Sequence, residues 1–292
     1  MFKNTRLIIV TIALLIGILI SSCSQYRKTL KSTNINLKYS TAVALYDKGD
    51  FHRAMTLFDE LLIYYRGTDT SEKINYYFAY CYFGEGDFLQ AGYYFTKFTS
   101  TFPTSKYAEE CQYMSAYCQY MYSPKYSLDQ TISVDAIKEF QLFINSYPKS
   151  KLVDSCNSII DELRGKLETK SYEIAKLYYK IEDYQAAVIA FKNLLKDYPD
   201  TKYKENAYYY ILVSYYYYAL GSVEGKKNER LNNAKDAYSS LFAAFPQTKF
   251  EKDAKSMLKN INKELQKNAD KEKAIKEVEI KKNNNLNTKQ KS

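Results

Sequence analysis

Several residue types that mark particular folds or chemistries are scarce in this 292-residue sequence. It has nine glycines and five prolines, whereas a β-sandwich or barrel needs turn residues about every 8–12 positions. It has no tryptophan, and its one histidine is His52. A multi-histidine metal site is therefore excluded, and a triad with a histidine base would have to use His52. These absences argue against an all-β fold and predict an all-α protein that binds rather than an enzyme, with no cofactor.

The positive charge is concentrated at the two ends of the chain. The net charge is +9, and residues 259–292 alone carry ten lysines against five acidic residues. Lys3 and Arg6 are the charged residues of the first 22. A nucleic-acid-binding protein would carry its basic residues on one face of the folded part. The charge distribution therefore predicts no nucleic-acid binding.

The N-terminus has the organisation of a secretory signal. An uncharged apolar run extends from Leu7 to Ile20, and at about 1.5 Å per residue it is too short to cross a ~30 Å hydrocarbon core. A basic start, a short apolar region and small residues at its end predict a signal peptide over residues 1–22. An uncleaved membrane anchor is the alternative.

The segment Ile20-Ser21-Ser22-Cys23 resembles a bacterial lipobox. The resemblance implies cleavage before Cys23, followed by acylation of its thiol and of the new amino terminus. Several acyl chains on one residue would hold the protein firmly in a membrane. Ser24 follows the cysteine, which favours the outer membrane. Four cysteines remain after processing, and we interpret them as small buried hydrophobic residues: Cys81, Cys111, Cys118 and Cys156.

An internal repeat dominates the rest of the sequence. An aromatic residue followed by proline, a variable residue, Ser or Thr, and lysine occurs four times, at Pro103, Pro148, Pro199 and Pro246. An alanine stands twelve residues before each proline, and an aromatic ring follows each alanine by four residues. Ala54 and Phe58 begin a fifth copy that lacks the proline. Alanine and ring share one helix face, and proline ends that helix, so each copy predicts a pair of helices.

This pattern resembles the tetratricopeptide repeat, although the tryptophan of that repeat is absent. Successive alanines are 37, 45, 51 and 47 residues apart, so some copies contain insertions, one of them a polar segment from Ser123 to Thr131. Another insertion predicts a long helix from about Lys151 to Glu182. We predict a tether over residues 23–36, one solenoid of about five helix pairs over 37–262, and a polar tail over 263–292 that is partly helical and then disordered.

Tyrosine is abundant, with 32 residues. In the first helix of each predicted pair it recurs at the same positions relative to the small residue of that helix. In tetratricopeptide proteins these positions line the concave groove, and tyrosine offers a large contact area and a hydroxyl that can pair with a peptide. Two alternatives are a generally tyrosine-rich composition and a role in the core. The predicted peptide-binding residues are Tyr39, Tyr46, Tyr76, Tyr80, Tyr113, Tyr117 and Tyr120. The run Tyr215-Tyr216-Tyr217-Tyr218 has no functional interpretation.

The lipobox, the five repeats and stretches such as Phe102-Pro103-Thr104-Ser105-Lys106-Tyr107 together resemble the BamD family of lipoproteins. Members of that family belong to the outer-membrane β-barrel assembly machinery. The resemblance implies a lipid-anchored adaptor on the periplasmic side of the outer membrane. Its N-terminal repeats would receive segments of unfolded outer-membrane β-barrel proteins. Its C-terminal repeats would contact BamA, the barrel-inserting subunit, alongside other subunits of the complex.

Two other functions compete with this one. A periplasmic tetratricopeptide scaffold for cell-wall or division proteins would share the same repeats. A helical cell-wall hydrolase would need a separate catalytic domain, and only about 30 polar residues follow the repeats. The sequence therefore favours a binding protein.

Overall fold

The structure is a computed structural model that describes residues 25–289, with side chains described as far as residue 280. The predicted signal peptide and the lipid-attachment residue Cys23 lie outside the described residues. The described chain starts with helical residues 25–30 and contains no strand. Eleven further helices follow: α1 (Ile35–Asp47), α2 (Phe51–Tyr64), α3 (Asp69–Gly84), α4 (Phe88–Thr101), α5 (Ala108–Tyr122), α6 (Thr131–Ser146), α7 (Val153–Lys180), α8 (Tyr184–Asp197), α9 (Lys204–Leu220), α10 (Glu224–Ala244) and α11 (Glu251–Lys289).

The predicted all-α fold of about five helix pairs is confirmed. The pairs are α1 with α2, α3 with α4, α5 with α6, α7 with α8, and α9 with α10. Tight turns join the helices of three pairs, and the central residue of each turn has a positive φ: Gly49 at 74°, Gly86 at 77° and Glu182 at 64°. Glycine tolerates that conformation, whereas Glu182 adopts it at a steric cost. Asp87 and Asp183 then cap the next helix by accepting a backbone N–H.

The aromatic–proline pattern ends a helix wherever it occurs. Helices α4, α6, α8 and α10 each end one residue before the aromatic residue, whose own N–H still bonds to the carbonyl four residues earlier. Proline follows at once and cannot continue the hydrogen-bond ladder. The polar insertion predicted from Ser123 is the irregular connection between α5 and α6, and the predicted long helix is α7.

The alanine and aromatic residues of the repeat form the core. Ala54, Ala91, Ala136, Ala187 and Ala234 are all fully buried, and so are Phe58, Phe95, Phe140 and Phe191. A small residue lets the neighbouring helix approach, and the ring one turn later fills the space beside it. The fifth ring, Tyr238, is half-buried. The repeat therefore encodes the packing between helices as well as the ends of the helices.

The described chain forms two compact units. The first ends at Leu163 and the second begins at Arg164, so the boundary falls within α7. Three hydrophobic clusters lie in the first unit and one in the second. The single solenoid over residues 37–262 stays a prediction. Over the range predicted as the tail, α11 continues to Lys289, and the division of that range into a helical and a disordered part stays a prediction.

The four described cysteines are free and buried, as the sequence analysis expected. Burial raises the pKa of the Cys81 and Cys118 thiols to about 12 and that of Cys156 to about 11. Such thiols stay protonated and pack as small hydrophobic groups. None of the helices in the described part combines the length and the apolar character that crossing a membrane requires.

Candidate peptide-binding site

The seven tyrosines predicted to bind peptide all lie in the first unit, on the first helices of its pairs. Helix α1 carries Tyr39 and Tyr46, α3 carries Tyr76 and Tyr80, and α5 carries Tyr113, Tyr117 and Tyr120. All seven are half-buried. Residues three or four apart share a helix face, so each helix presents its tyrosines to one side. Each ring packs against the core with one part and leaves the rest accessible.

Six of the seven tyrosines belong to one continuous chain of ring contacts. The ring centroids of Tyr46 and Tyr77 are 4.8 Å apart, those of Tyr77 and Tyr76 are 5.8 Å apart, and those of Tyr76 and Tyr80 are 4.8 Å apart. These separations lie in the range in which aromatic pairs attract one another. The chain of rings thus connects α1 with α3.

Phe83 extends the chain of rings from α3 to α5. Its centroid is 6.3 Å from that of Tyr80 and 6.2 Å from that of Tyr117. Tyr117 stacks on Tyr113 at 5.8 Å and contacts Tyr120 at 5.7 Å. We define the aromatic surface as Tyr46, Tyr76, Tyr77, Tyr80, Phe83, Tyr113, Tyr117 and Tyr120. Tyr39 has its described ring contact with Tyr65 instead, at 6.3 Å.

The hydroxyl groups of the aromatic surface bridge successive first helices. Tyr76 and Tyr80 both donate to Oε1 of Glu110 on α5, at 2.9 and 2.5 Å. Tyr120 donates to Oε2 of Glu162 on α7, at 2.8 Å. Sequence reasoning expected hydroxyls able to pair with a peptide, but these protons are already donated within the chain. A bound peptide would therefore contact mainly the rings.

Four tyrosines of this surface, Tyr46, Tyr76, Tyr80 and Tyr120, have a raised pKa and are neutral at physiological pH. Burial, followed by the hydrogen bonds to Glu110, raises the pKa of Tyr76 and of Tyr80 far above the usual value. Burial raises the pKa of Tyr46 to about 12. The hydrogen bond to Glu162, with burial second, raises that of Tyr120 to about 12. These four hydroxyl groups are thus neutral, and three of them donate to the side chains of Glu110 and Glu162.

Sequence reasoning missed several members of this site. Tyr77 connects α1 with α3, and Glu110 joins two hydroxyls. Tyr107, whose ring lies 4.5 Å from that of Tyr76, borders the surface. Tyr107 is the last residue of the Phe-Pro-Thr-Ser-Lys-Tyr pattern, so its position relative to the proline was a usable signal. Nothing local in the sequence marked Glu110.

The second unit has a chain of ring contacts of its own, which runs from Tyr209 through Tyr210, Tyr179 and Tyr184 to Tyr217. Tyr172, at the equivalent phase of α7, is 4% exposed and stacks on Tyr203 at 4.2 Å, so it is a core residue. The run of four tyrosines on α9 also has packing partners: Tyr218 donates to Gln185, Tyr217 stacks on Tyr184, and Tyr215 accepts from Lys192. These rings hold the helices of the second unit together.

No group of His, Cys, Asp and Glu side chains suited to a metal ion occurs in the part of the chain that the structure describes. What the described arrangement offers is contact area. Rigid aromatic rings form apolar contacts at a low entropic cost and suit the binding of extended or helical polypeptide segments.

Helix pairs with the alanine–aromatic–proline pattern define a tetratricopeptide-repeat protein. The family model YfiO, described as outer membrane lipoprotein, matches residues 32–231. The chain belongs to this family of outer-membrane lipoproteins, and the resemblance to BamD-type lipoproteins is confirmed. The matched range runs from just before α1 into α10, so it includes the whole aromatic surface.

One solved structure with a similar fold is a "TPR2AB-domain:pHSP90-complex of yeast Sti1". It is 9% identical, with 78% of this chain and 98% of that chain covered and a TM-score of 0.36. A likeness this distant carries no functional information. No curated protein matches the chain.

Proposed function

We propose that this chain is a lipid-anchored adaptor of the outer-membrane β-barrel assembly machinery. Its membership of an outer-membrane lipoprotein family is the observation that carries the proposal. The adaptor is attached through acylated Cys23 and works on the periplasmic side of the membrane. It acts by binding polypeptides and not as an enzyme.

The aromatic surface of the first unit is the proposed site for unfolded barrel proteins. Barrel strands alternate apolar and polar residues and carry aromatic residues near their ends. Aromatic rings in contact from α1 to α5 offer such a strand several shallow contacts. Contacts of this kind suit weak and reversible holding, which an adaptor needs because its client must be passed on.

The second unit is the proposed docking region for BamA. Three apolar side chains on α7, and a fourth directly after its last residue, are exposed there at spacings of three and four residues that place them on one side. They are Ile174, Leu177, Tyr178 and Ile181, exposed by 42%, 55%, 37% and 62%. A contiguous exposed apolar face is typical of a protein–protein interface.

Crosslinking of a client peptide tests the aromatic surface. A photoreactive peptide copying the last strand of a barrel protein is offered to the wild type and to a variant with Tyr76→Ala, Tyr80→Ala and Tyr113→Ala. We expect crosslinking to fall at least about fivefold, because most of the contact area is lost. Tyr126→Ala is the matched control, since Tyr126 is 41% exposed and lies in the connection between α5 and α6.

Circular dichroism must show that the triple variant keeps its helices. If a helical triple variant crosslinks as well as the wild type, the client site lies elsewhere. Co-purification on the tagged full-length chain separates the adaptor from a cell-wall scaffold: barrel-assembly subunits support the proposal, whereas peptidoglycan enzymes in their place would contradict it.

A further inference from the structure

Two carboxylates beside the aromatic surface are accessible to solvent. Glu110 on α5 and Glu162 on α7 are both exposed, and the hydrogen bonds that they accept from tyrosines lie at the protein surface. Glu110 accepts from Tyr76 and Tyr80 through Oε1, and Glu162 accepts from Tyr120 through Oε2. A carboxylate has about four acceptor positions in all. Each of the two can therefore accept further hydrogen bonds from a molecule that arrives from solvent.

The hydroxyl groups bonded to these carboxylates have no proton left to donate. A phenol has one proton, and those of Tyr76, Tyr80 and Tyr120 are donated within the chain. The hydroxyls of Tyr113 and Ser155 lie 3.2 Å apart, so one of them donates to the other. Around the two carboxylates the surface thus offers mainly acceptors. A ligand has to supply the donors.

The negative charge of Glu110 is not balanced by the hydroxyls that bond to it, because both are neutral. Neither Glu110 nor Glu162 takes part in an ion pair within the part of the chain that the structure describes. After burial and the hydrogen bonds, the charge of Glu110 also contributes to the raised pKa of Tyr76 and of Tyr80. The aromatic surface is therefore acidic where α3 meets α5.

The rings of the aromatic surface have no cation of the chain over them. None of the cation–ring contacts among the described residues involves a member of this surface. At the border, Lys106 lies over the ring of Tyr107, 4.9 Å from its centroid. In the second unit three cations lie over tyrosine rings at 5.7, 5.1 and 3.8 Å: Lys176 over Tyr172, Lys192 over Tyr215, and Arg230 over Tyr218. The first unit thus combines exposed carboxylates with rings that no internal cation covers.

We propose that the aromatic surface selects client segments that carry a basic residue and an aromatic residue on the same side of an extended strand. The aromatic residue packs on the rings of Tyr76 and Tyr80, and the basic residue donates to Glu110. Residues two positions apart in a strand point to the same side and lie about 6.6 Å apart, so they reach neighbouring points of the surface. An acidic residue in the same place would meet a like charge and bring no donor. This inference rests on the aromatic surface being the client site.

Three end-blocked strand peptides measure this selection on the full-length lipoprotein in detergent. They are identical except at one position, two residues from a phenylalanine, which is Lys, Gln or Glu. At low salt we expect fluorescence anisotropy to show the Lys peptide binding about threefold tighter than the Gln peptide, and the Glu peptide about threefold more weakly than the Gln peptide. High salt should reduce these differences, because exposed charges are screened. Equal affinities of the Lys and Glu peptides, or tighter binding of the Glu peptide, would overturn the proposal.

A fourth peptide tests the same-side arrangement. Its lysine stands one residue from the phenylalanine and so points to the other side of the strand. We expect it to bind about as the Gln peptide does. If it binds as tightly as the first Lys peptide, the proposed pairing of ring and carboxylate contacts is wrong.

Two single variants locate the charge that makes the selection. Glu110→Gln removes the charge but keeps an acceptor for Tyr76 and Tyr80, and it should reduce the ratio of Lys-peptide to Glu-peptide affinity at least about threefold. Glu109→Gln changes the net charge equally, and Glu109 lines a different depression beside Pro148. The ratio should therefore stay as in the wild type. An unchanged ratio in Glu110→Gln contradicts the proposal.

The variant with Tyr76→Ala, Tyr80→Ala and Tyr113→Ala separates this inference from the client site itself. If all peptides bind the wild type alike and lose affinity in the triple variant, the client site is supported and the selection by charge is wrong. If the Lys peptide binds the triple variant as tightly as the wild type, or if no peptide binds the wild type, the client site is wrong and the inference is overturned with it.

Discussion

The phenolic hydroxyl of Tyr80 on α3 donates to Oε1 of Glu110 on α5 across 2.5 Å. Burial and this hydrogen bond, in that order, raise the pKa of Tyr80 well above the value of about 10 that a tyrosine has in an unfolded chain. The same carboxylate oxygen accepts from Tyr76. Two rings of the aromatic surface are thereby fixed to the next first helix, and their ionisation is coupled to folding.

This coupling makes the stability fall at alkaline pH. Above pH about 10 the unfolded chain loses tyrosine protons that the native state keeps. The unfolded state then binds fewer protons, so the free energy of unfolding decreases as the pH rises. Stability from the raised pKa values is fully present below pH about 10 and is lost above it. We expect denaturant unfolding at pH 9, 10 and 11 to show this decrease.

Glu110→Gln should make that decrease less steep. The variant keeps an acceptor for Tyr76 and Tyr80 but removes the negative charge, so their native pKa values move toward the unfolded value. The neighbouring Glu109→Gln serves as the control and should follow the wild type. Identical pH profiles for Glu110→Gln and the wild type would show that the carboxylate does not govern these tyrosines.

Phe191, the aromatic residue of the repeat in the fourth helix pair, should be essential for stability. Phe191 is fully buried and stacks on Tyr210 with centroids 5.3 Å apart. We expect Phe191→Ala to lower the free energy of unfolding by about 3–5 kcal/mol, because it leaves a cavity. Ile189→Ala on the same helix should stay within about 0.5 kcal/mol, since Ile189 is 54% exposed. Denaturant unfolding compares the two, and similar losses would contradict the assignment of Phe191 to the core.

A nearly buried lysine connects the helices of the first pair. The ammonium of Lys38 on α1 donates to the carboxylate of Glu60 on α2, and the Lys38 side chain is only 9% exposed. Glu60→Ala leaves that charge without its carboxylate and should lower the free energy of unfolding by about 1–3 kcal/mol. Lys38→Met keeps the apolar stem and removes the charge, so we expect a smaller loss. Chemical unfolding compares the two variants. If Lys38→Met lowers the free energy of unfolding more than Glu60→Ala does, packing of the lysine stem contributes more than the ion pair.

Much of the fold was predictable because its signals are local. An aromatic residue followed by proline ends a helix by removing a backbone donor, wherever the helix lies. Alanine and a ring four residues later share a helix face for geometric reasons alone. The five helix pairs, the turns at Gly49 and Gly86, and the long α7 follow from such short-range rules. The recurring helix positions at which α3 and α5 carry their tyrosines could also be predicted from the sequence.

The sequence by itself determined where the helices begin and end and which face of each is apolar. Tertiary structure alone decided whether each tyrosine on the first helices lies at the surface or in the core. Tyr113 is half-buried at the surface whereas Tyr172 is a core residue, because exposure depends on the neighbouring helices. Glu110 accepts from Tyr76 across 34 residues and from Tyr80 across 30, and Lys192 donates to Tyr215 across 23. Hydrogen bonds act over about 3 Å, so distances between helices, which no local pattern encodes, determine these partners.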